Sequence, residues 1–339
     1  SLVSLLGLFV FGTEINGAKS WYRFGGVSLQ PSEFAKAFTA LALAKLMSNR
    51  KYNLDVKKNQ LKAFIIIFLP AFLIAVHDPG SAIIYLAFFF VLNREGLTLA
   101  YIIFGCTAII LFIATILVGV KIIIGSLFII ITTYLIYNIY RNNRFLKFNW
   151  IRILATYVLS MFFILTVDYS YNHILKKHQR DRFEVLLGKT TDTQKIGYNT
   201  NQSIETISSG KFWGKGFLEG DKTQGNFVPE QHTDYIFSTV GEEWGFLGSS
   251  MVVILYVLLI LRILFLAEQQ KSQFSRVYGY GVASILFVHF LINIGMVMGL
   301  IPTIGIPLPF FSYGGSGLWA FTILVFIFLK LDSNRLNEW

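Results

Sequence analysis

Charge is scarce in this chain. Of 339 residues, 29 are Lys or Arg and 19 are Asp or Glu, 14% together, against about 25% in ordinary soluble domains. Hydrophobic residues make up 54%, and Phe alone occurs 33 times. A water-soluble globule is therefore excluded, because too few polar groups remain to cover its surface. Proline (7) and glycine (28) are not enriched, which excludes collagenous and disordered classes. The single cysteine, Cys106, rules out an internal disulfide and a cysteine zinc cluster. It lies in an apolar run and reads as packing.

What the chain does contain is a succession of apolar runs near the length of about 20 residues that a spanning helix needs. They cover 1–12, 31–47, 61–76, 79–93, 98–119, 121–140, 151–170, 243–266, 278–300 and 309–329. The class expected is all-α, a polytopic membrane helix bundle of about ten hydrophobic segments. The first is partial, since the chain opens inside a hydrophobic run without an initiator Met. Strands are not expected within the bilayer, where an open edge leaves backbone groups unsatisfied.

The net charge of +10 is not read as nucleic-acid binding, because cytoplasmic loops of membrane proteins collect Lys and Arg. Arg50, Lys51, Lys57 and Lys58, then Arg141, Arg144 and Lys147, then Lys271 and Arg276, and finally Lys330 and Arg335 fall on one side of a ten-pass chain. That side is assigned to the cytoplasm. Loop 13–30, the HDPG turn at 77–80, the loop around Val120, segment 171–236 and loop 301–308 then lie outside. Segment 171–236 is long for a compact protein, which points to function. Its aromatic and apolar patches suggest that it folds on the membrane surface.

Five motifs could carry chemistry. In QPSEFAK (30–36), Glu33 and Lys36 share a helix face, either as an anchoring ion pair or as the lining of a polar cavity. Asp78 in HDPG reads as turn chemistry. Arg180 and Arg182 in QRDRF are either a solvated charge run or a bidentate phosphate holder. In VPEQHTDYIFSTVGEEWGF (228–246), Glu230, His232, Asp234, Glu242 and Glu243 crowd one membrane interface. An Asp234 set beside apolar YIF would have a raised pKa, suited to a general base. The histidines show no metal-ligand spacing. PLPFFSYGGSG (307–317), with Ser312, is either a flexible lead-in to the last helix or a backbone cradle. It lacks a P-loop lysine.

Together with Asn201-Gln202-Ser203 and GKGF, these motifs occur in the order of the SEDS family of peptidoglycan polymerases, which this sequence resembles from about residue 15 onward apart from one stretch. The HTD triplet resembles the elongation branch, of Bacteroidetes type. The resemblance implies a single SEDS transmembrane domain over 1–339, with 171–236 as its large extracytoplasmic loop and two helices preceding residue 1. It implies an inverting β-1,4 transfer that joins lipid II units and releases undecaprenyl pyrophosphate at the periplasmic face of the inner membrane, during elongation and shape maintenance. The partners implied are lipid II, the undecaprenyl-pyrophosphate-linked glycan, a class B penicillin-binding protein, the elongation machinery and membrane lipid.

Asp234 matches the family's essential aspartate, and Glu33 and Lys36 match residues lining its central cavity. Arg180, Arg182, Gln202, Ser203, Glu230, His232, Glu242 and Ser312 are the remaining binding or cavity-lining candidates. No cofactor is expected, and a requirement for Mg²⁺ is not legible. Two features depart from the family pattern: 98–150 adds a helical hairpin, and His77 replaces a common Pro. Rival readings are a lipid II flippase, a non-catalytic scaffold, and the division branch of the same family.

The orientation is testable. In a Cys106→Ser background, a cysteine replacing Lys195 should react with a membrane-impermeant maleimide added to intact cells. Labelling only after permeabilisation would reverse the topology.

Overall fold

The structure is a computed structural model and describes residues 1–15, 18–49, 51–142, 150–175, 177–186 and 197–335. Arg50, Arg144, Lys147 and Lys195 lie outside the described residues. The chain forms two compact units, one of Ser1–Thr98 with Thr193–Trp339 and one of Leu99–Asp192.

The first unit begins with α1 (Leu2–Phe11), followed by strands β1 (Thr13–Ile15), β2 (Ala18–Phe24) and β3 (Val27–Leu29). Helices α2 (Pro31–Met47), α3 (Lys57–Ala75) and α4 (Pro79–Ile83) follow, and a 3₁₀ turn (Ile84–Ala87) leads into α5 (Phe88–Arg94). After the second unit come α10 (Tyr198–Ser209), α11 (Asp221–Gln224), α12 (Ile236–Glu268), α13 (Gln273–Val297) and α14 (Gly315–Asn334). The second unit holds α6 (Ala100–Val118), α7 (Val120–Asn142), α8 (Trp150–Tyr169) and α9 (Lys177–Leu186). Its three long helices pack on one another and leave most of their apolar side chains exposed, as suits a hydrocarbon solvent.

All ten expected segments fall on helices. Seven of the described helices are long and apolar enough to cross a membrane by length and composition. The other segments are α1, the 17-residue α2 and the run Pro79–Arg94. That run is broken by the 3₁₀ turn rather than continuous. The last helix starts at Gly315, later than the apolar pattern suggested, because 309–314 is occupied by turns. Segment 171–236 is not simply a loop but carries α9, α10 and α11.

The all-α class holds; the three short strands lie outside the expected spans. They pair as an antiparallel β1–β2–β3 sheet. The rule against open edges holds only in hydrocarbon, and 13–29 lies between apolar runs. Tyr22 in β2 donates to the carbonyl of Ser4 at 2.7 Å, docking the sheet on α1.

Helix α13 is the centre of the first unit, packing against α2, α5, α12, α14 and the 3₁₀ turn. Its small residues Gly279, Gly281, Ala283 and Ser284 are buried, which lets helices approach closely without a hydrophobic drive between them. Charged groups gather at two ends of this unit. At one, Arg94 binds Glu268 at 2.6 Å and Arg276 binds Glu95 at 3.0 Å. At the other, Gln30 donates to Asp78, which caps α4 by accepting from the Ser81 N–H and hydroxyl. Of the basic segments, 267–277 and the tail meet at the first of these ends, where Gln270 donates to Asp332 at 2.7 Å.

Helix α12 is interrupted at Gly245, whose φ of 63° and ψ of −157° leave the helical region. The freed backbone groups are taken up by segment 211–216. The Lys215 and Gly216 N–H groups donate to the Glu242 and Glu243 carbonyls, and the Phe246 and Leu247 N–H groups donate to the Lys211 and Phe212 carbonyls. A Cβ at Gly245 would strike the backbone of Gly214 and Phe212 and would be strained at that φ. Gly245→Ala should therefore destabilise the protein by at least ~2 kcal/mol. Gly125→Ala, in open space inside α7, should be neutral or stabilising by up to ~1 kcal/mol. Thermal denaturation in detergent compares the two, and equal melting temperatures would contradict the account.

Candidate active site

Asp234 sits two residues before α12, at the end of the unit that holds Gln30 and Asp78. Three consecutive carbonyls fix its segment from outside. The His232 carbonyl accepts from the Tyr313 N–H at 2.8 Å, the Thr233 carbonyl from the Ser312 hydroxyl at 2.6 Å, and the Asp234 carbonyl from Asn293 Nδ2 at 2.8 Å. Tyr235 anchors the next position, buried with Val228, Phe237, Met296 and Val297, its hydroxyl 3.2 Å from that of Thr303. On the other flank the Glu230 carbonyl receives the N–H groups of Thr233 and Tyr235. Its carboxylate accepts from the Thr233 hydroxyl at 2.8 Å.

The backbone is therefore held while the Asp234 carboxylate makes no hydrogen bond to any described residue. It faces Gly305, where a Cβ would lie 3.2 Å from Oδ2 and where φ is +80°. Only glycine leaves that space open at that backbone angle. Burial pushes the Asp234 carboxyl up to about 6, with the negative charges of Glu230, Asp78 and Glu33 adding to it. An acid so placed can take a proton near neutral pH.

Glu33 and Lys36 form a closed network beneath this site. Lys36 Nζ lies 2.8 Å from both Glu33 oxygens and 2.8 Å from His289 Nε2. His289 Nδ1 is 3.2 Å from the Pro307 carbonyl, which assigns the proton to Nδ1 and leaves Nε2 to accept from Lys36. Both charged side chains are almost wholly buried. Asn293, one helical turn from His289 on α13, also donates to the Ile306 carbonyl at 2.7 Å. His289 and Asn293 thus hold the loop that carries Gly305. The sequence reading passed over both as site residues. Their signal was two polar side chains four apart in an otherwise apolar span, where polarity is costly and marks function.

The other candidates take different places. Ser312 is a staple, accepting from the Leu308 N–H while donating to Thr233. Ser203 is buried and donates to the Val297 carbonyl, joining α10 to α13; the Gln202 carbonyl accepts from Thr206. Glu242 is fully buried and receives Lys215 Nζ, the Ser209 and Thr223 hydroxyls and the Lys222 and Thr223 N–H groups. That saturation makes it the hub of loop 215–223. Glu230 and the His232 side chain are exposed. Arg180 and Arg182 lie on α9 of the second unit. There Arg180 donates to the Asn172 carbonyl at 3.3 Å, and the Arg182 side chain is outside the described residues.

Removing one member of the buried Lys36 pair leaves an uncompensated charge. Lys36→Met and Glu33→Gln should each destabilise by about 3–5 kcal/mol. The double variant should lose clearly less than the two losses combined. Additive losses in a double-mutant cycle would refute the coupling.

Comparison with known proteins identifies the family. The cell cycle protein profile of FtsW, RodA and SpoVE matches residues 1–150 and 147–337. The peptidoglycan glycosyltransferase MrdB of Escherichia coli K12 is 34% identical over 319 residues, covering 94% of this chain and 71% of its own. The peptidoglycan glycosyltransferase RodA of Treponema pallidum is 32% identical over 353 residues, covering 96% and 80%. Among solved structures, a chain of a peptidoglycan synthase complex that coordinates polymerization and crosslinking superposes with a TM-score of 0.69 at 25% identity, covering 99% of this chain and 80% of that one. Rod shape determining protein RodA of Thermus thermophilus shares the fold, with a TM-score of 0.57 at 24% identity over 98% and 75%. The chain belongs to the FtsW, RodA and SpoVE family of cell cycle proteins, the SEDS family.

Proposed function

We propose that this multi-pass membrane protein is a peptidoglycan glycosyltransferase of the elongation branch and that Asp234 is its general base. The observation that carries the assignment is a carboxylate that makes no hydrogen bond to a described residue, on a backbone held at three successive carbonyls. The assignment to elongation rests on the HTD triplet at 232–234.

The substrates proposed are lipid II as acceptor and a growing glycan on undecaprenyl pyrophosphate as donor. Asp234 takes the proton of the acceptor sugar's C4 hydroxyl as its oxygen attacks the donor's anomeric carbon. The bond from that carbon to the pyrophosphate oxygen breaks, and undecaprenyl pyrophosphate leaves with the electron pair. A single displacement inverts the α linkage to β-1,4 and needs one base and no covalent enzyme intermediate. Arg180 and Arg182 are candidates for neutralising the pyrophosphate on their guanidinium chemistry alone. Lys36, its three N–H donors taken up by Glu33 and His289, acts through its charge rather than by contact.

The site faces the periplasmic side of the inner membrane in this reading, supported by the basic loops of the opposite side. The protein would work with a class B penicillin-binding protein within the elongation machinery, because a polymerase requires a transpeptidase to crosslink its product.

Glycan formation from lipid II by the purified protein tests the activity; a flippase alone forms no glycan. Asp234→Asn keeps the shape but lacks the basic oxygen, so polymerisation should fall by about 10²–10⁴-fold. Polymerisation at the parental rate would overturn the assignment.

The pH dependence follows from the raised pKa. The basic form is depleted as pH falls, so the wild-type rate should drop through about pH 6 rather than near the ordinary aspartate value, and the residual rate of Asp234→Asn should not show that limb. The folded carboxyl holds its proton more tightly than the unfolded one, so its stability contribution is present at low pH and is lost as pH rises through about 6. Asp234→Asn should consequently melt no lower than the parent at pH 8, which separates lost chemistry from misfolding. An acid limb that survives in Asp234→Asn would assign the titration to another group.

A further inference from the structure

The segment that occupies the break in α12 carries large apolar side chains that nothing in the site uses. Trp213 is 77% exposed and Phe217 67% exposed, and Leu218, Phe212, Trp244 and Phe246 are exposed as well. These rings are organised rather than scattered. Phe212 packs on Trp213 and Phe246, and Phe217 on Trp244. The backbone beneath them is rigid, tied to α12 by the four hydrogen bonds across Gly245.

Depth follows from length. Past the break α12 runs from Phe246 to Glu268, about 34 Å at 1.5 Å per residue, close to the roughly 30 Å of a hydrocarbon core. The apolar run from Phe246 to Ala267, with Arg262 near its inner end, fills that core by itself. The break at Gly245 then falls at the outer boundary of the acyl region. There an irregular backbone is tolerated because its polar groups are paired with protein. Past the break the exposed stripe Leu247, Met251, Ile254, Leu255 and Leu258 continues down α12, so the aromatic cluster is continuous with a lipid-facing surface. Lys211, exposed at the head of the segment, suits the anionic headgroup level.

We propose that residues 210–218 are a monotopic wedge, held in the gap of α12 and inserted into the outer leaflet, whose occupant is phospholipid and not another protein. Trp and Phe at the boundary of the acyl region anchor such segments and fix their depth. The wedge thereby sets how far α12, and the Glu242 hub beside it, sit below the membrane surface.

The test uses the full chain in nanodiscs of phosphatidylcholine and phosphatidylglycerol, with no other protein present. In a Cys106→Ser background, a nitroxide is placed at Trp213→Cys, at Phe217→Cys and, as the aqueous reference, at Lys51→Cys in the loop after α2. Collision rates are measured with oxygen, which concentrates in lipid, and with a water-soluble nickel chelate. The oxygen-to-nickel ratio should be about threefold or more higher at 213 and 217 than at 51. Ratios equal to that at 51 would make the segment an aqueous loop. Exclusion of both reagents would show that protein covers it. Either result overturns the proposal, and the two wedge positions report independently if one variant fails to insert.

Discussion

Three hydrogen bonds to consecutive backbone carbonyls, at His232, Thr233 and Asp234, are the constraint on which the site depends. They come from three places, namely the Tyr313 N–H, the Ser312 hydroxyl and the Asn293 amide. With every carbonyl of the triplet engaged, the backbone that carries Asp234 cannot shift without giving up bonds made in a partly buried setting, where an unmade bond is expensive. The carboxylate itself is left without a hydrogen bond to a described residue, and the same burial raises its pKa. The backbone around Asp234 is thus held tightly while its carboxylate meets no hydrogen-bond donor among the described residues, an arrangement that would suit the proposed proton abstraction.

Helix α13 supplies the rigid element behind this. His289 and Asn293, one turn apart, reach the carbonyls of Pro307 and Ile306 and so fix the loop whose Gly305 faces Asp234. His289 also accepts from Lys36, which joins the buried Glu33–Lys36 pair on α2 to the same loop. In an apolar surround such a network is favourable only when every member is satisfied. Here the pair, the imidazole and the loop carbonyl satisfy one another. The Glu33–Lys36 pair thus acts on the Asp234 region through a chain of contacts that also ties two helices together.

A second hub serves the polar segment 209–223. Glu242, buried in the first turns of α12, gathers five donors from 209–223, and the break at Gly245 admits the backbone of 211–216. These two devices turn a polar, glycine-containing stretch into an ordered attachment on a membrane helix. They explain why the acids clustered in the sequence take different places: Asp234 makes no side-chain hydrogen bond to a described residue, Glu242 is saturated and Glu230 is exposed.

The sequence alone determined the class and the number of apolar segments, because the length and hydrophobicity of a span answer directly to the thickness and dielectric of the bilayer. Asp234 was legible as well, from an acid placed against an apolar YIF run. Residues such as Glu33 and Lys36 could be paired from helical spacing, but their third partner could not. His289 lies 253 positions from Lys36, and no local periodicity reports a contact of that separation. The roles of Ser203, Ser312 and Glu242 as staples, the strands at 13–29 and the gap in α12 were likewise decided by tertiary structure. Each depends on which distant backbone groups come within hydrogen-bonding reach, and packing sets that.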